Sequence, residues 1–178
     1  MGEHRTTGKE VSPMTPYSER IPDVDPAVAE KVFRAVYGLE NYVKHSGLEP
    51  SLLDLVRLRA SQINGCAYCI DMHTKDARAR GESEQRLYLV SAWQESPFYS
   101  ERERAALLWT EAVTLVADGH VPDAVYTKVR EAFNDEELLN LTVAVAAINV
   151  WNRLNVAFRT IPGSYEPATP PLAAAAVS

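Results

Sequence analysis

The sequence predicts an all-α fold, and three observations carry that reading. Apolar residues recur at three- and four-residue spacing through the middle of the chain, no stretch alternates apolar and polar residues between hairpin turns, and the prolines gather at the two ends. Pro13, Pro16, Pro22 and Pro26 lie near the start, and Pro162, Pro167, Pro170 and Pro171 near the end. Pro50, Pro97 and Pro122, between them, each stand where a helix can begin or separate from the next. The boundaries that follow are an extended arm over 1–23, a helical domain over 24–161, and a low-complexity Pro/Ala-rich tail over 162–178 with little to anchor it.

About seven helices fill the domain. Asp25 caps a first helix starting at Pro26, with Val28, Val32, Phe33, Val36, Leu39 and Val43 on its apolar face and Gly47 after its end. Pro50 opens a second, carrying Leu52, Leu55, Val56, Ala60 and Ile63 on one side until Asn64-Gly65 breaks it. A third spans 66–80 and stops at Gly81, a residue suited to the left-handed position after a helix. Ser83 caps a fourth over about 84–93. Ser100-x-x-Glu103 is a capping box for a fifth, ending near Asp118-Gly119, and Pro122 starts a sixth. Asn134-x-x-Glu137 caps a seventh, whose run LLNLTVAVAAINVWNRLNVAF is apolar enough to be buried on most sides. SQIN at 61–64 and AAIN at 146–149 form a short echo, compatible with two related hairpins and equally with chance.

Composition sets the outer limits. At 178 residues the chain fits one domain, and a globule of this size buries roughly 70% of its unfolded surface without a staple. The 46% apolar and 24% charged residues exclude a mostly disordered chain. No apolar run approaches the ~20 residues of a membrane span, and MGEHRTTGKEVSPM lacks the apolar centre of a signal peptide. A net charge of −6 gives no electrostatic reason to expect nucleic acid or anionic membrane as a partner. The expected setting is cytoplasmic.

Cys66 and Cys69 are too few for a disulfide scaffold, and too close for a bridge to constrain much chain entropy. Reversible chemistry is the better reason for the pair. In Asn64-Gly-Cys-Ala-Tyr-Cys-Ile-Asp-Met-His73 the cysteines stand three apart and Cys69 and His73 four apart, so all three share one helical stripe. Gly65 puts Cys66 at a helix start, where unpaired N–H groups and the helix dipole favour thiolate. His73 can take the proton of Cys69 or stabilise its thiolate, and one thiol can attack a peroxide while the other resolves the product. Two other readings stay open. C-x-x-C-x-x-x-H offers three zinc ligands, although a structural site needs a fourth and His4, His45 and His120 stand apart. The pair could also be two inert buried thiols.

LLDLVRLRASQINGCAYCIDMHTKDARARG, ERERAALLWTEAV and INVWNRLNVAFR together resemble the alkylhydroperoxidase AhpD-like family of the carboxymuconolactone decarboxylase-like superfamily, over roughly residues 30–162. The resemblance implies an all-α AhpD-like bundle, protomers assembled as trimers or hexamers, and thiol-dependent peroxidase activity with neither cofactor nor metal. It also implies that Cys69 becomes sulfenic acid, that Cys66 is its proton donor and disulfide partner, and that His73 belongs to a proton relay. The partners expected are a small hydroperoxide, an external dithiol reductant and further copies of the chain.

Two positions depart from the family pattern. Asp54 stands where the family has a glutamate twelve residues before the first cysteine, and Tyr68 stands where well-studied alkylhydroperoxidases have a second histidine. Asp54 is either a relay carboxylate reaching His73 through a water or an ordinary helix-surface residue. Tyrosine, with a pKa of about 10, shuttles protons poorly near neutrality. These departures keep a second reading alive, a helical assembly module without turnover. The decarboxylase branch does not depend on a CxxC pair and is the worse match. Trp93, Trp109 and Trp151 read as core or interface residues, and Glu101-Arg-Glu-Arg104 as a solvated first turn. Lys75, Asp76, Arg78 and Arg80 read as an exposed face, and Glu111 as a carboxylate able to approach the thiols. No dinucleotide fingerprint or phosphate loop is present, so electrons must come from an external carrier.

Overall fold

Short polar residues set the helix starts where the sequence puts them. Asp25 accepts the Ala27 N–H at 2.8 Å ahead of Pro26. Ser100 with Glu103, and Asn134 with Glu137, each close a complete capping box. The computed structural model describes residues 19–21 and 23–167. Among these the chain forms seven α-helices and no strand: α1 (Pro26–Lys44), α2 (Pro50–Ile63), α3 (Ala67–Ala79), α4 (Glu84–Leu89), α5 (Glu101–Thr114), α6 (Asp123–Arg130) and α7 (Asp135–Phe158). A 3-10 segment, Val90–Glu95, joins α4 to the loop before α5.

The single helix expected over 84–93 is therefore two pieces, broken by non-helical backbone at Ala92. The break turns Trp93 into the core, where its indole N–H donates to Glu111 at 2.7 Å. Likewise α5 ends at Thr114 instead of running to 118–119, because Leu115 and Val116 find nothing to bury against and stay exposed.

α2 is the central element. Leu52, Leu53 and Val56 join one apolar cluster with α1, α5, α6 and α7. Leu55 and Leu58 join a second, with α3, α4, α5 and the 3-10 segment. Ala60 meets Cys66, Cys69 and Ile148 in a third. Residues on three sides of one helix thus fix where α3 and α7 lie, and the cysteine turn falls between them.

Two expected faces are corrected. Of the six apolar residues assigned to the buried side of α1, Val43 alone is buried, while Val28, Val32 and Phe33 are exposed. Only the last turns of α1 reach the core. α7 is long and apolar enough by length and composition to cross a membrane, yet it packs on α1, α2 and α5 through Leu141, Ala144, Val145 and Ile148. It is not buried on most sides, since Leu139, Val150, Val156 and Phe158 are exposed.

Residues 1–18 and 22 of the expected arm, and 168–178 of the tail expected over 162–178, lie outside the described residues. The first part of that tail is tied down. The Gly163 N–H donates to Asp71 at 3.0 Å, Lys75 donates to the Tyr165 carbonyl at 2.9 Å, and the Tyr165 hydroxyl donates to Asp76 at 2.7 Å.

Candidate active site

Gly65 makes the turn between α2 and α3 at φ +64°, a conformation that costs a residue with a Cβ about 1–2 kcal/mol. The turn leaves Cys66 as the N-cap of α3, with its N–H on the Ser61 carbonyl at 2.9 Å. Its sulfur accepts hydrogen bonds from the Cys69 thiol, the Cys69 and Tyr68 N–H groups and the Asn152 amide. Against the cost of burial, these donors lower its pKa to about 7. Cys69 is pushed the other way, because its proton is held by Cys66 and the site is buried. The Asn155 amide donates to the Cys69 sulfur at 3.3 Å and partly offsets this. The pair thus favours negative charge on Cys66 over Cys69.

His73, one turn beyond Cys69, is buried, and its Nε2 has no hydrogen-bond partner. Burial, with the nearby cations Arg57 and Arg80, lowers its pKa to about 3. The ring is neutral at physiological pH, so it offers the site a hydrogen-bonding imidazole and not an imidazolium charge to steady a thiolate.

Asp54 is buried on α2, not on the helix surface, and Arg80 grips both its carboxylate oxygens, Nε at 2.8 Å and Nη2 on the other. Burial raises the Asp54 pKa despite this partner. Both Asp54 oxygens accept from Arg80, and among the described residues no hydrogen bond joins Asp54 to His73. Of the face expected to be exposed, Arg78 and Arg80 are exposed and Lys75 and Asp76 half-buried, but the face is not merely solvated. Arg80 holds Asp54, Asp76 holds Tyr165 and Lys75 holds the strand of chain after Pro162.

A cavity of about 950 Å³ opens over this ground, and Asp54, Arg57, Tyr68, Cys69, His73, Arg80 and Asn155 line it. Cys66 does not. Trp93 and Trp109 are core residues as expected, whereas Trp151 is a half-buried wall of the cavity. Glu111 stays away from the thiols, bound to Arg59 at 2.8 Å and to Trp93. Among the described residues no group of three or more His, Cys, Asp or Glu is placed to hold a metal ion.

Sequence reasoning missed Asn152, Asn155 and Arg80. The signal for the first two was present: Asn149, Asn152 and Asn155 recur every three residues inside an apolar helix, where an unpaired amide costs about 1–3 kcal/mol. In the structure Asn64 donates to Asn149 at 3.0 Å and to Asn152 at 2.8 Å, and Asn152 donates to Ser61 at 3.0 Å. The asparagines of the short sequence echo thus meet each other.

Residues 30–112 match the carboxymuconolactone decarboxylase family. The chain is 43% identical over 130 residues to the uncharacterized protein YdfG of Bacillus subtilis, covering 73% of this chain and 88% of that one. It is 47% identical to the crystal structure of ATU0492 from Agrobacterium tumefaciens, a protein of unknown function named as an AhpD antioxidant-defence candidate. That match has a TM-score of 0.78 and covers 83% of this chain and 100% of the other. The debrominase Bmp8 shares the fold at 21% identity, with a TM-score of 0.68 over 78% of this chain and 74% of its own.

Two measurements test the electrostatics. Unfolded histidine titrates near 6.5 and His73 at about 3, so between those values the unfolded chain binds a proton that the native one refuses. Stability present above 6.5 is therefore lost as pH falls towards 3. Melting at about pH 7 and about pH 5 should show a fall that is smaller in His73→Gln; equal falls would place the acid sensitivity elsewhere. Asn155→Leu should slow alkylation of Cys69, read by peptide mass spectrometry, by roughly fivefold, the worth of about 1 kcal/mol for one hydrogen bond. An unchanged rate would show that this amide does not tune the sulfur.

Proposed function

Because the chain belongs to the carboxymuconolactone decarboxylase family as an AhpD-like member, we propose that it is a thiol-dependent peroxidase in which Cys69 attacks a hydroperoxide and Cys66 resolves the product. The observation that carries this reading is a division of labour on one helical turn. Cys69 lines the cavity and Cys66 does not, while Cys66 holds the more stable thiolate.

The reaction begins when the shared proton moves from Cys69 to Cys66, leaving a Cys69 thiolate facing the cavity beside the Asn155 amide. The hydroperoxide O–H donates to the free Nε2 of His73, which sets its outer oxygen over the Cys69 sulfur. Attack forms the S–O bond and breaks O–O; the alkoxide leaves and takes the proton held on Cys66, giving alcohol and Cys69 sulfenic acid. The Cys66 thiolate then attacks that sulfur, forming the 66–69 disulfide and expelling hydroxide, which solvent protonates. An external dithiol reduces the disulfide and is itself oxidised. Asp54 acts as a positioning residue, by holding Arg80 at the edge of the site.

The uncovered apolar faces support a homo-oligomer. Val28 and Val32 on α1 and Val150 and Val156 on α7 are exposed. Light scattering at micromolar concentration should give a mass of several protomers, and a monomeric mass would end this part of the reading.

Stoichiometric peroxide should remove two hydrogens from the wild-type mass and join the two cysteines in one disulfide-linked peptide. Cys66→Ser should stop one step earlier, with a sulfenic acid on Cys69 that dimedone traps. An unchanged mass with both thiols still alkylatable would overturn the peroxidase reading.

A further inference from the structure

The cavity has an aromatic wall that takes no part in the proton chemistry. Trp151 of α7 stands against two residues of α1: Phe33, nearly parallel with centroids 6.1 Å apart, and Tyr37, tilted at 5.2 Å. All three line the cavity, with Tyr68 and Met72 beside Cys69. Phe33 is 43% and Tyr37 61% exposed, so their ring faces are open to a guest.

The charges in the lining are already spent on each other. Arg80 binds Asp54 and Arg57 binds Glu40, and the remaining lysine of the lining stands with two further carboxylates, Glu19 and Asp76, so the lining has no excess of positive charge to favour an anionic guest. Lys44 and Glu19, also in the lining, are of opposite sign. The volume, about 950 Å³, lies near the top of the range of roughly 300–1,000 Å³ for drug-sized ligands. Hydrogen peroxide, little larger than a water of about 30 Å³, would leave the aromatic wall wet.

We propose that Phe33, Tyr37 and Trp151 form a subsite for the uncharged aromatic ring of the molecule that reacts at Cys69, so that the substrate class is a neutral aryl-bearing hydroperoxide and not hydrogen peroxide or an anionic one. This rests on the peroxidase reading and is narrower than the small hydroperoxide expected from sequence. The ring stacks on the indole while the hydroperoxide group points to Cys69 and His73.

The test separates binding from turnover. Cumyl alcohol, the unreactive reduced form of cumene hydroperoxide, is titrated by NMR into Cys69→Ser protein beside tert-butanol and the para-carboxylate of cumyl alcohol. Cumyl alcohol should bind on the order of tenfold more tightly than either comparator, and Tyr37→Ala and Trp151→Leu should each weaken it severalfold. Tyr37 is exposed on an outer helix, so its removal leaves the fold intact, as a melting curve would verify. Binding no better than tert-butanol, or unaffected by Tyr37→Ala, would overturn the subsite. Tight ring binding without turnover of cumene hydroperoxide by a dithiol would keep the subsite and remove the peroxidase reading. Turnover that favours hydrogen peroxide, without ring binding, would do the reverse.

Discussion

The cysteine turn depends on one buried amide, that of Asn152. It is 1% exposed, accepts from Asn64 at 2.8 Å, donates to Ser61 at 3.0 Å, and favours charge on both sulfurs. Each of those groups, left unpaired in the interior, would cost about 1–3 kcal/mol. A slip of α7 by one turn against α2 would break all of them together, so the polar joint fixes a register that apolar packing alone would leave loose. With that register fixed, Asn155 falls on Cys69 one turn further along, and Trp151 falls on the cavity wall.

Electrostatics closes the other side of the site. Arg80, the C-cap of α3, reaches back to Asp54 on α2 and staples the two helices that carry the reactive residues. A carboxylate buried at 4% exposure needs such a partner, and the pairing removes its charge from the field at His73. Burial, with two cations nearby and no anion bonded to it, keeps the ring neutral. A neutral imidazole whose Nε2 has no partner can accept a hydrogen bond there; an imidazolium could not.

What was legible in the sequence was local. Capping is settled within four residues, so Asp25, Ser83, Ser100 and Asn134 mark helix starts before any packing is known. The stripe of Cys66, Cys69 and His73 is equally local, because it needs nothing but helical spacing. What was not legible depended on distant partners. The face of α1 reads as amphipathic, but whether a face is covered depends on what packs against it, and α1 meets the core only near Val43. Arg80 looked like surface charge because its partner stands 26 residues away on another helix, and Asn155 meets Cys69 across 86 residues. The asparagine spacing on α7 was the one trace of the site left in a segment that otherwise read as apolar filling.

The placing of charge and access on different sulfurs has a chemical logic. A thiolate's nucleophilicity falls with its pKa, whereas a sulfur leaves more readily the lower its pKa. Cys66, at about 7, is the weaker attacker and the better leaving group, and it is shielded from the cavity. Cys69, raised by its neighbour and by burial, is the stronger nucleophile once its proton has moved, and it is the sulfur that lines the cavity. On the peroxidase reading, both half-reactions then use the same opening. The peroxide meets Cys69, and the reductant later attacks Cys69 again and expels Cys66 as the stable thiolate. The difference between the sulfurs comes first from the hydrogen bond between them, which favours charge on Cys66 and disfavours it on Cys69, and the Cys69 and Tyr68 N–H groups at the start of α3 add to it.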